Sequence, residues 1–328
     1  MGNQNFYIAS IKISNLFGTR QLNWNVFTDV NILGGENGSG KSTILKSCYA
    51  LLNEGYISDL RLAGLVQDIH IEFTNGYIVK WERQFVRTAD YQQEDGYNYY
   101  LDSKAVNSQG YFMLQKTMVK DCSGNISSFS VLKERLKVYL INSFELKLLN
   151  QEKIQVEDAN DRTYLDFLIH EQVFQRNSIF TGVLERVLSD MAVNSGSFVD
   201  ILKDKNVKNF LALYTVLQVF MKKYKVLIDN QIRFRVEDSP QTIVRYQNLS
   251  MGEKQLVLLL LMVTNTREEP CIFFMDEPDL SMHVGWKELL IKQMRDLNPN
   301  MQIILSTHAP SMVEGWYEKV KEVKQIMA

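Results

Sequence analysis

A glycine-rich stretch near the N-terminal end has the residue types and spacing of a phosphate-binding loop. It reads G-G-E-N-G-S-G-K-S-T over residues 34–43 and matches the pattern G-x-x-x-x-G-K-[ST] without a gap. Its glycines allow a tight turn whose backbone N–H groups face an anion, and a following helix adds the positive end of its dipole. We expect these residues to bind the phosphates of a nucleotide: Gly35, Glu36, Asn37, Gly38, Ser39, Gly40, Lys41, Ser42 and Thr43. Within the set, Lys41 can reach the β- and γ-phosphates, and the Ser42 hydroxyl can bind Mg²⁺.

A second group of candidate residues lies near the C-terminal end. The run C-I-F-F-M-D-E-P-D at 271–279 predicts a buried strand that ends in two acids, and parallel sheets bind ligands beyond the carboxyl ends of their strands. Asp276 could hold Mg²⁺, directly or through water, and Glu277 could polarise an attacking water. Upstream, L-S-M-G-E-K-Q at 249–255 opens an apolar helix, and its N-terminus offers a second anion site. Without the loop, this stretch would be typical of a capped core helix.

Strands and a helix must position these residues. Alternating apolar residues predict strands at 5–16, at 27–33 directly before the loop, and at 136–142, and a helix is predicted after the loop. Two β-rich runs flank Asn75-Gly76, a dipeptide that predicts a hairpin with a type I′ turn. The chemistry-bearing residues therefore belong to an α/β protein.

The middle of the chain changes character. Residues 150–230 have the helical spacing of apolar positions, without a sustained heptad, and strand-like sequences return afterwards. We therefore predict an α/β core that is split in sequence, residues 1–145 and 231–328, with a helical insertion or lid at 150–230.

Composition narrows the class of protein. The 328 residues carry a formal net charge of −2, which gives no overall basic character for nucleic acid. The three cysteines have no metal-ligand or redox spacing. The longest apolar run, residues 256–263, is too short to cross a bilayer, and the N-terminus lacks the pattern of a signal peptide. We expect a cytoplasmic protein without membrane contact.

Four motifs, taken in chain order, resemble those of an ABC-type ATPase. Residues 35–42 resemble its Walker A motif, and 249–255 resemble its signature. F-F-M-D-E-P-D-L-S-M-H at 273–283 resembles Walker B with its D-loop, and S-T-H-A-P-S at 306–311 resembles the switch histidine segment. The forms of the last two are similar to the SMC, Rad50, RecF and OLD branch rather than to membrane transporters. AAA-family ATPases of bacterial antiphage defence, of the Septu- or retron-associated type, belong to this resemblance.

The resemblance implies a fold and an assembly. The fold would be an ABC-ATPase head, with a P-loop parallel sheet, an antiparallel β subdomain and a helical insertion. Its ligands would be ATP and Mg²⁺, with Ser42 and Asp276 at the metal. The assembly would be a head-to-tail homodimer or higher homo-oligomer, in which Ser250 and Gly252 contact the γ-phosphate held by the second copy.

The resemblance also implies roles for single residues. Glu277 would be the general base or water-orienting group, and His308 would contact the γ-phosphate and report its loss. Asp279 would lie across the dimer interface. Arg20, after the first strand, would approach the nucleotide. The Q-loop glutamine of such heads is left open between Gln115 and Asn142.

The expected function is an ATPase subunit that hydrolyses ATP to control a separate effector, such as a nuclease, in antiphage defence. The alternatives are a RecF- or Rad50-like DNA-repair ATPase and the nucleotide-binding subunit of a transporter. Nucleic acid stays a possible partner, because tyrosines between Tyr91 and Tyr111 could stack on bases, although such residues more often belong to a sheet.

Overall fold

A parallel β-sheet forms the centre of the protein and carries both groups of candidate residues. This computed structural model describes residues 5–87, 95–106, 109–142, 153–154, 162–193, 204–227 and 231–327. Across the sheet, the strands are β17 (Val320–Glu322), β3 (Val30–Gly34), β16 (Met301–Ser306), β15 (Cys271–Asp276) and β9 (Val138–Asn142). Neighbouring strands pair in parallel. Strands β3, β16 and β15 are buried along their whole length, as their continuous apolar sequences predict.

An antiparallel sheet lies beside the parallel one. Its strands are β1 (Ile8–Leu16), β2 (Arg20–Asn25), β4 (Asp68–Phe73), β5 (Ile78–Val86), β6 (Asn98–Val106), β7 (Phe112–Lys120) and β8 (Ile126–Ser127). Their order is β2-β1-β4-β5-β7-β6, and β8 pairs with β7. The predicted fold class, α/β with a parallel sheet and an antiparallel β subdomain, is confirmed.

The predicted hairpin around Asn75-Gly76 is also confirmed, but the predicted type I′ turn is wrong. The N–H of Phe73 donates to the carbonyl of Tyr77 at 2.9 Å, and the N–H of Gly76 donates to the carbonyl of Phe73 at 3.0 Å. Gly76 has a φ of 84°, whereas Asn75 has no positive φ. A type I′ turn needs both. The connection is therefore a three-residue loop that ends in a left-handed glycine.

Helices cover both faces of the parallel sheet. They are α1 (Lys41–Glu54), α2 (Leu60–Gly64), α3 (Phe129–Arg135), α4 (Tyr164–Val193), α5 (Lys205–Phe220), α6 (Met251–Asn265), α7 (Val284–Leu297) and α8 (Val323–Ile326). Short strands complete the fold: β10 (Lys153–Ile154) with β11 (Arg162–Thr163), and β12 (Tyr224–Leu227), β13 (Arg233–Val236) and β14 (Ser239–Arg245). None of the helices described here is long and apolar enough to span a bilayer.

Alternate residues of β15 face two different cores. Ile272 and Phe274 pack in a core with α1 and the antiparallel sheet. Phe273 and Met275 pack in a second core with α4, α5, α6 and α7. Both faces of β15 are buried, which fixes the position of the strand in the sheet. Its last residue, Asp276, therefore lies at the carboxyl edge of the sheet.

The helices of the middle segment share this second core. Leu165 and Ile169 of α4 and Leu213 of α5 are buried in the same cluster as the apolar side chains of α6. The segment therefore packs directly against the helix that begins at the signature motif. The division into a split head (1–145 and 231–328) and an insertion (150–230) stays a prediction.

Candidate functional site

Strand β3 runs directly into the phosphate loop, and α1 begins where the loop ends. Gly40 precedes the helix with a φ of 106°, in the left-handed region that favours glycine. A Cβ atom on Gly40 would lie 2.9 Å from the ring of Phe17, so a larger residue there would have to displace that ring. The residues of the loop tip, Glu36, Asn37 and Gly38, are exposed. The loop thus has an open backbone at the N-terminus of a 14-residue helix, which is the geometry of an anion site.

One further observation fits a phosphate inside this loop. The Ser39 hydroxyl oxygen is buried and has no hydrogen-bond partner among the described residues. It lies 2.9 Å from the position that a Cβ atom on Gly35 would take. A buried hydroxyl without a partner is costly, and a phosphate oxygen in the loop would give it one.

The Lys41 side chain is hydrogen-bonded to backbone carbonyls of the phosphate loop. Its Nζ donates to the carbonyls of Gly35 at 2.9 Å and Glu36 at 3.0 Å. Burial lowers the pKa of Lys41, and the carboxylates of Glu277 and Asp276 oppose that shift. A cation that is short of solvent and near two acids is suited to take up phosphate oxygens.

Ser42 and Asp276 come together as predicted for a metal site. The Ser42 hydroxyl donates to Oδ1 of Asp276 at 2.9 Å. The same oxygen accepts from the Ser306 hydroxyl at 2.7 Å, because β15 and β16 pair these two residues side by side. A hydroxyl and a carboxylate are the oxygen ligands that Mg²⁺ prefers, with water and phosphates as the remaining ligands. The residues present therefore fit Mg²⁺.

Glu277 and His308 lie next to each other at the same edge of the sheet. Nε2 of His308 is 3.4 Å from Oε1 of Glu277, and both side chains are partly exposed. Glu277 has a φ of 47°, which is uncommon for a residue other than glycine and typical of functional sites. Its N–H donates to the carbonyl of Ser306 at 3.0 Å, which fixes the strained backbone. The pair is reachable by water and adjoins the carboxylate of Asp276.

Asp279 is engaged within its own chain. Oδ1 accepts from the Thr307 hydroxyl at 2.9 Å, and Oδ2 pairs with Nζ of Lys287 at 2.9 Å. The residue is 5% exposed. In this arrangement Asp279 links the D-loop to the residue before His308. Its position across a dimer interface stays a prediction.

The ring of Phe17 lies between Arg20 and the phosphate loop. The guanidinium of Arg20 is 5.9 Å from the centre of the Phe17 ring, and that ring is the one that approaches Gly40. Arg20 is exposed at the start of β2. A direct contact of Arg20 with a nucleotide stays a prediction.

The signature residues lie at a groove apart from the loop. Ser250 precedes α6, and a Cβ atom on Gly252 would lie 2.1 Å from the carbonyl oxygen of Ser281. The two line a groove of about 530 Å³, together with Lys223 and His283. Of the described residues that form this groove, none comes from the phosphate loop. One chain thus brings Lys41 and Asp276 together but keeps the signature serine away from them.

The structure separates the two Q-loop candidates. Gln115 is 1% exposed in β7, where its carbonyl oxygen accepts from the Ile57 N–H at 2.8 Å and from Nε1 of Trp81 at 3.0 Å. Its amide donates to the Ile57 carbonyl at 2.9 Å. Gln115 therefore has a structural role, which favours Asn142 of the two alternatives. Asn142 ends β9 in register with Asp276, at the metal edge of the sheet.

The tyrosines suggested for base stacking contact protein groups instead, where the structure describes them. Tyr91 lies outside the described residues. The ring of Tyr100 stacks on Tyr56 with centroids 4.0 Å apart, and the ammonium of Lys116 is 4.8 Å from the ring centre of Tyr97. These contacts are typical of sheet packing.

Sequence reasoning placed Ser306 and Thr307 in the switch histidine segment without giving them a role, and it missed Lys287. Ser306 ends a strand beside β15, so its position at a strand end was a usable signal. Lys287 lies in α7, eight positions after Asp279, and no motif pointed to it.

The fold and the site together define an ATPase head of the AAA and SMC-like type. A parallel sheet holds a phosphate loop and an acidic pair at one edge, and a signature turn lines a separate groove.

The comparisons with known proteins agree with this class. Residues 142–314 match the family described as "AAA domain, putative AbiEii toxin, Type IV TA system". The match covers more than half of the chain. The chain therefore belongs to this family. The chain is 29% identical over 174 residues to the "Retron Vc95 probable ATPase" of Vibrio cholerae serotype O1 biovar El Tor, covering 44% of this chain and 34% of that protein. It therefore spans about a third of the length of that relative.

A solved structure has the same fold. It is the SMC head domain from Pyrococcus furiosus, with an extended coiled coil and bound to the C-terminal domain of ScpA. The TM-score is 0.51 and the sequence identity 14%, over 94% of this chain and 91% of that chain.

Proposed function

We propose that the protein binds ATP with Mg²⁺, closes head to tail with a second copy, and hydrolyses ATP to control a separate effector. One observation carries the proposal: the Ser42 hydroxyl of the phosphate loop meets Oδ1 of Asp276 at 2.9 Å. This contact joins residues 234 positions apart in sequence at the place where a nucleotide-bound metal would lie.

The residues of the edge have complementary tasks in this chemistry. The N–H groups of the loop and the ammonium of Lys41 would bind the phosphates once Lys41 leaves the two carbonyls that it now contacts. Ser42 and Asp276 would hold Mg²⁺, which neutralises charge on the phosphate oxygens when bound. Glu277 would orient a water molecule and accept its proton, with His308 at 3.4 Å beside it.

The separation of the anion sites supports closure of two copies. Ser250 and Gly252 line a groove that the phosphate loop does not reach. In a head-to-tail pair, the groove of one copy would face the loop of the other, so that Ser250 donates to the γ-phosphate in trans. A site that two copies share makes assembly depend on the nucleotide.

The relatives support a role in defence and an effector elsewhere. The name of the Vibrio cholerae relative associates an ATPase with a retron, which supports antiphage defence. The Pyrococcus furiosus SMC head is bound to a domain of another protein, which supports an ATPase head that engages a separate polypeptide. For this chain, we infer an effector such as a nuclease.

Two variants test the proposal. Lys41→Ala should lose most nucleotide affinity in calorimetry, since it removes the side-chain cation of the loop. Ser250→Arg should bind nucleotide at its own loop but lose both ATP-dependent closure and hydrolysis, because its bulk fills the groove. Closure is measured by crosslinking cysteines placed beside Ser250 and beside Lys41, with and without a non-hydrolysable ATP analogue. Crosslinking without nucleotide, or parental phosphate release by Ser250→Arg, would contradict the shared site.

A further inference from the structure

The signature serine is held by a carboxylate three residues further on. Oε2 of Glu253 accepts from the backbone N–H of Ser250 at 2.7 Å and from its hydroxyl at 2.8 Å. This is the arrangement of a helix N-cap, and it stabilises the start of α6. It also places a carboxylate in direct contact with the hydroxyl that would donate to a γ-phosphate.

That carboxylate has its own counterion. Oε1 of Glu253 is 2.8 Å from Nζ of Lys223. The carboxylate of Glu253 is 5% exposed, whereas the Lys223 side chain is 66% exposed. Burial raises the pKa of Glu253. The hydrogen bonds from Lys223 and Ser250 together lower it by more, so the pKa lies below its ordinary value. Glu253 therefore carries a negative charge at neutral pH, and Lys223 neutralises it from the solvent side.

Lys223 belongs to the turn that follows α5, so the ion pair joins the signature to the end of the middle helical segment. The next residue of the signature joins its beginning. Nζ of Lys254 is 2.8 Å from Oδ1 of Asp166, in the first turn of α4, and both side chains are buried. Consecutive residues of one helical turn thus hold the two ends of residues 164–223.

We propose that Lys223 is a positioning residue that permits nucleotide-dependent closure by neutralising Glu253 at the signature serine. This inference rests on the proposed function. When Ser250 approaches a γ-phosphate, the carboxylate of Glu253 approaches it too. Like charges at such distances repel strongly when they are partly buried. With Lys223 in place, the phosphate meets a neutral pair.

The exposure of Lys223 gives the pair a regulatory consequence. A partner that binds the turn after α5 through an acidic group would draw Lys223 away from Glu253. The carboxylate would then face the phosphate unpaired, and closure would need more nucleotide. A change in the helical segment would in this way reach the ATPase without contact to the phosphate loop.

Removing the charges of the pair one at a time tests the proposal. Lys223→Met should raise the concentration of a non-hydrolysable ATP analogue that gives half-maximal crosslinked dimer by about tenfold or more. The double variant Lys223→Met with Glu253→Gln should restore the parental concentration, because the amide still accepts from Ser250 but carries no charge. Lys222→Met is the matched control, since Lys222 is the adjacent exposed lysine of the same groove and should shift the midpoint by less than about threefold.

The outcomes separate the two proposals. If Lys223→Met closes at the parental nucleotide concentration, or if Glu253→Gln does not rescue it, the role of Lys223 is refuted while the ATPase proposal stands. If the parental chain never closes with nucleotide, the proposed function and this inference both fail. Thermal unfolding of each variant checks the fold. Lys223→Met leaves the buried carboxylate of Glu253 without its counterion, so we expect some loss of stability, and closure is compared at a temperature at which every variant is folded.

Discussion

Replacing Gly252 by alanine probes how closely the signature helix approaches the D-loop. The added Cβ atom would lie 2.1 Å from the carbonyl oxygen of Ser281, a distance that real Cβ atoms do not show. The obstacle is a backbone atom, so the D-loop must move by about 1 Å rather than rotate a side chain away. Overpacking of this kind costs about 1–3 kcal/mol, and a backbone clash belongs at the upper end. Alanine gains up to about 1 kcal/mol over glycine in a helix, which leaves a net loss of about 2 kcal/mol.

A second glycine provides the matched control for this variant. Gly285 is likewise the second residue of its helix, α7, but a Cβ atom there would lie 3.7 Å from the nearest atom, Nδ1 of His283. Gly285→Ala should therefore be neutral or stabilising by up to about 1 kcal/mol. The free energies of unfolding in urea should differ by about 2–3 kcal/mol between the two variants. Equal values would refute the tight contact between α6 and the D-loop.

Three further predictions concern the metal edge, the Q-loop candidates and pH. Glu277→Gln should bind ATP like the parental chain, release phosphate at least about a hundredfold more slowly, and accumulate closed dimers; parental turnover would exclude Glu277 as the water-activating group. Gln115→Leu leaves two buried N–H donors without their acceptor, so its free energy of unfolding should fall by about 2–4 kcal/mol, whereas Asn142→Ala should mainly slow phosphate release; the reverse pattern would contradict the assignment. The hydrogen bonds of Glu253 hold its pKa below the ordinary 4.5, so its stabilisation is present above that pH and is lost as the pH falls through the folded-state value. Between about pH 6 and about pH 3, the unfolding free energy should therefore fall more in the parental chain than in Glu253→Gln.

The phosphate loop was predictable because its chemistry is local. Gly40 and Lys41 need only a particular backbone turn and the start of a helix, and both requirements can be read from adjacent residues. The acids at 276 and 277 were predictable for a similar reason, since an apolar run of strand length fixes which residue stands at its end. The contact of Ser42 with Asp276 then follows from the rule that ligands bind beyond the carboxyl ends of parallel strands.

Register between distant strands could not be predicted in the same way. Gln115 and Asn142 both follow apolar segments, and their difference lies in which strand each one joins. Asn142 pairs with a strand more than 130 positions away, whereas Gln115 lies in the antiparallel sheet. The turn at Asn75-Gly76 fails for a related reason, because the dipeptide signals a reversal but does not fix the loop length. Ion pairs such as Lys223 with Glu253 likewise depend on packing of α5 against α6, which no motif encodes.

These packing contacts form a continuous route between the two anion sites of one chain. Gly252 packs so near the D-loop that a Cβ atom on it would lie 2.1 Å from the carbonyl oxygen of Ser281. Two residues before Ser281, the buried carboxylate of Asp279 accepts from Thr307, and the residue before Thr307 in turn donates to Asp276 at the metal edge. Because the carboxylates of Asp279 and Asp276 are buried and each accepts a hydrogen bond from this segment, we expect a shift of the D-loop to reach the metal edge. We therefore expect Gly252→Ala to slow ATP hydrolysis in addition to destabilising the fold. The control Gly285→Ala in α7 should change neither the rate of hydrolysis nor the nucleotide concentration that gives half-maximal closure.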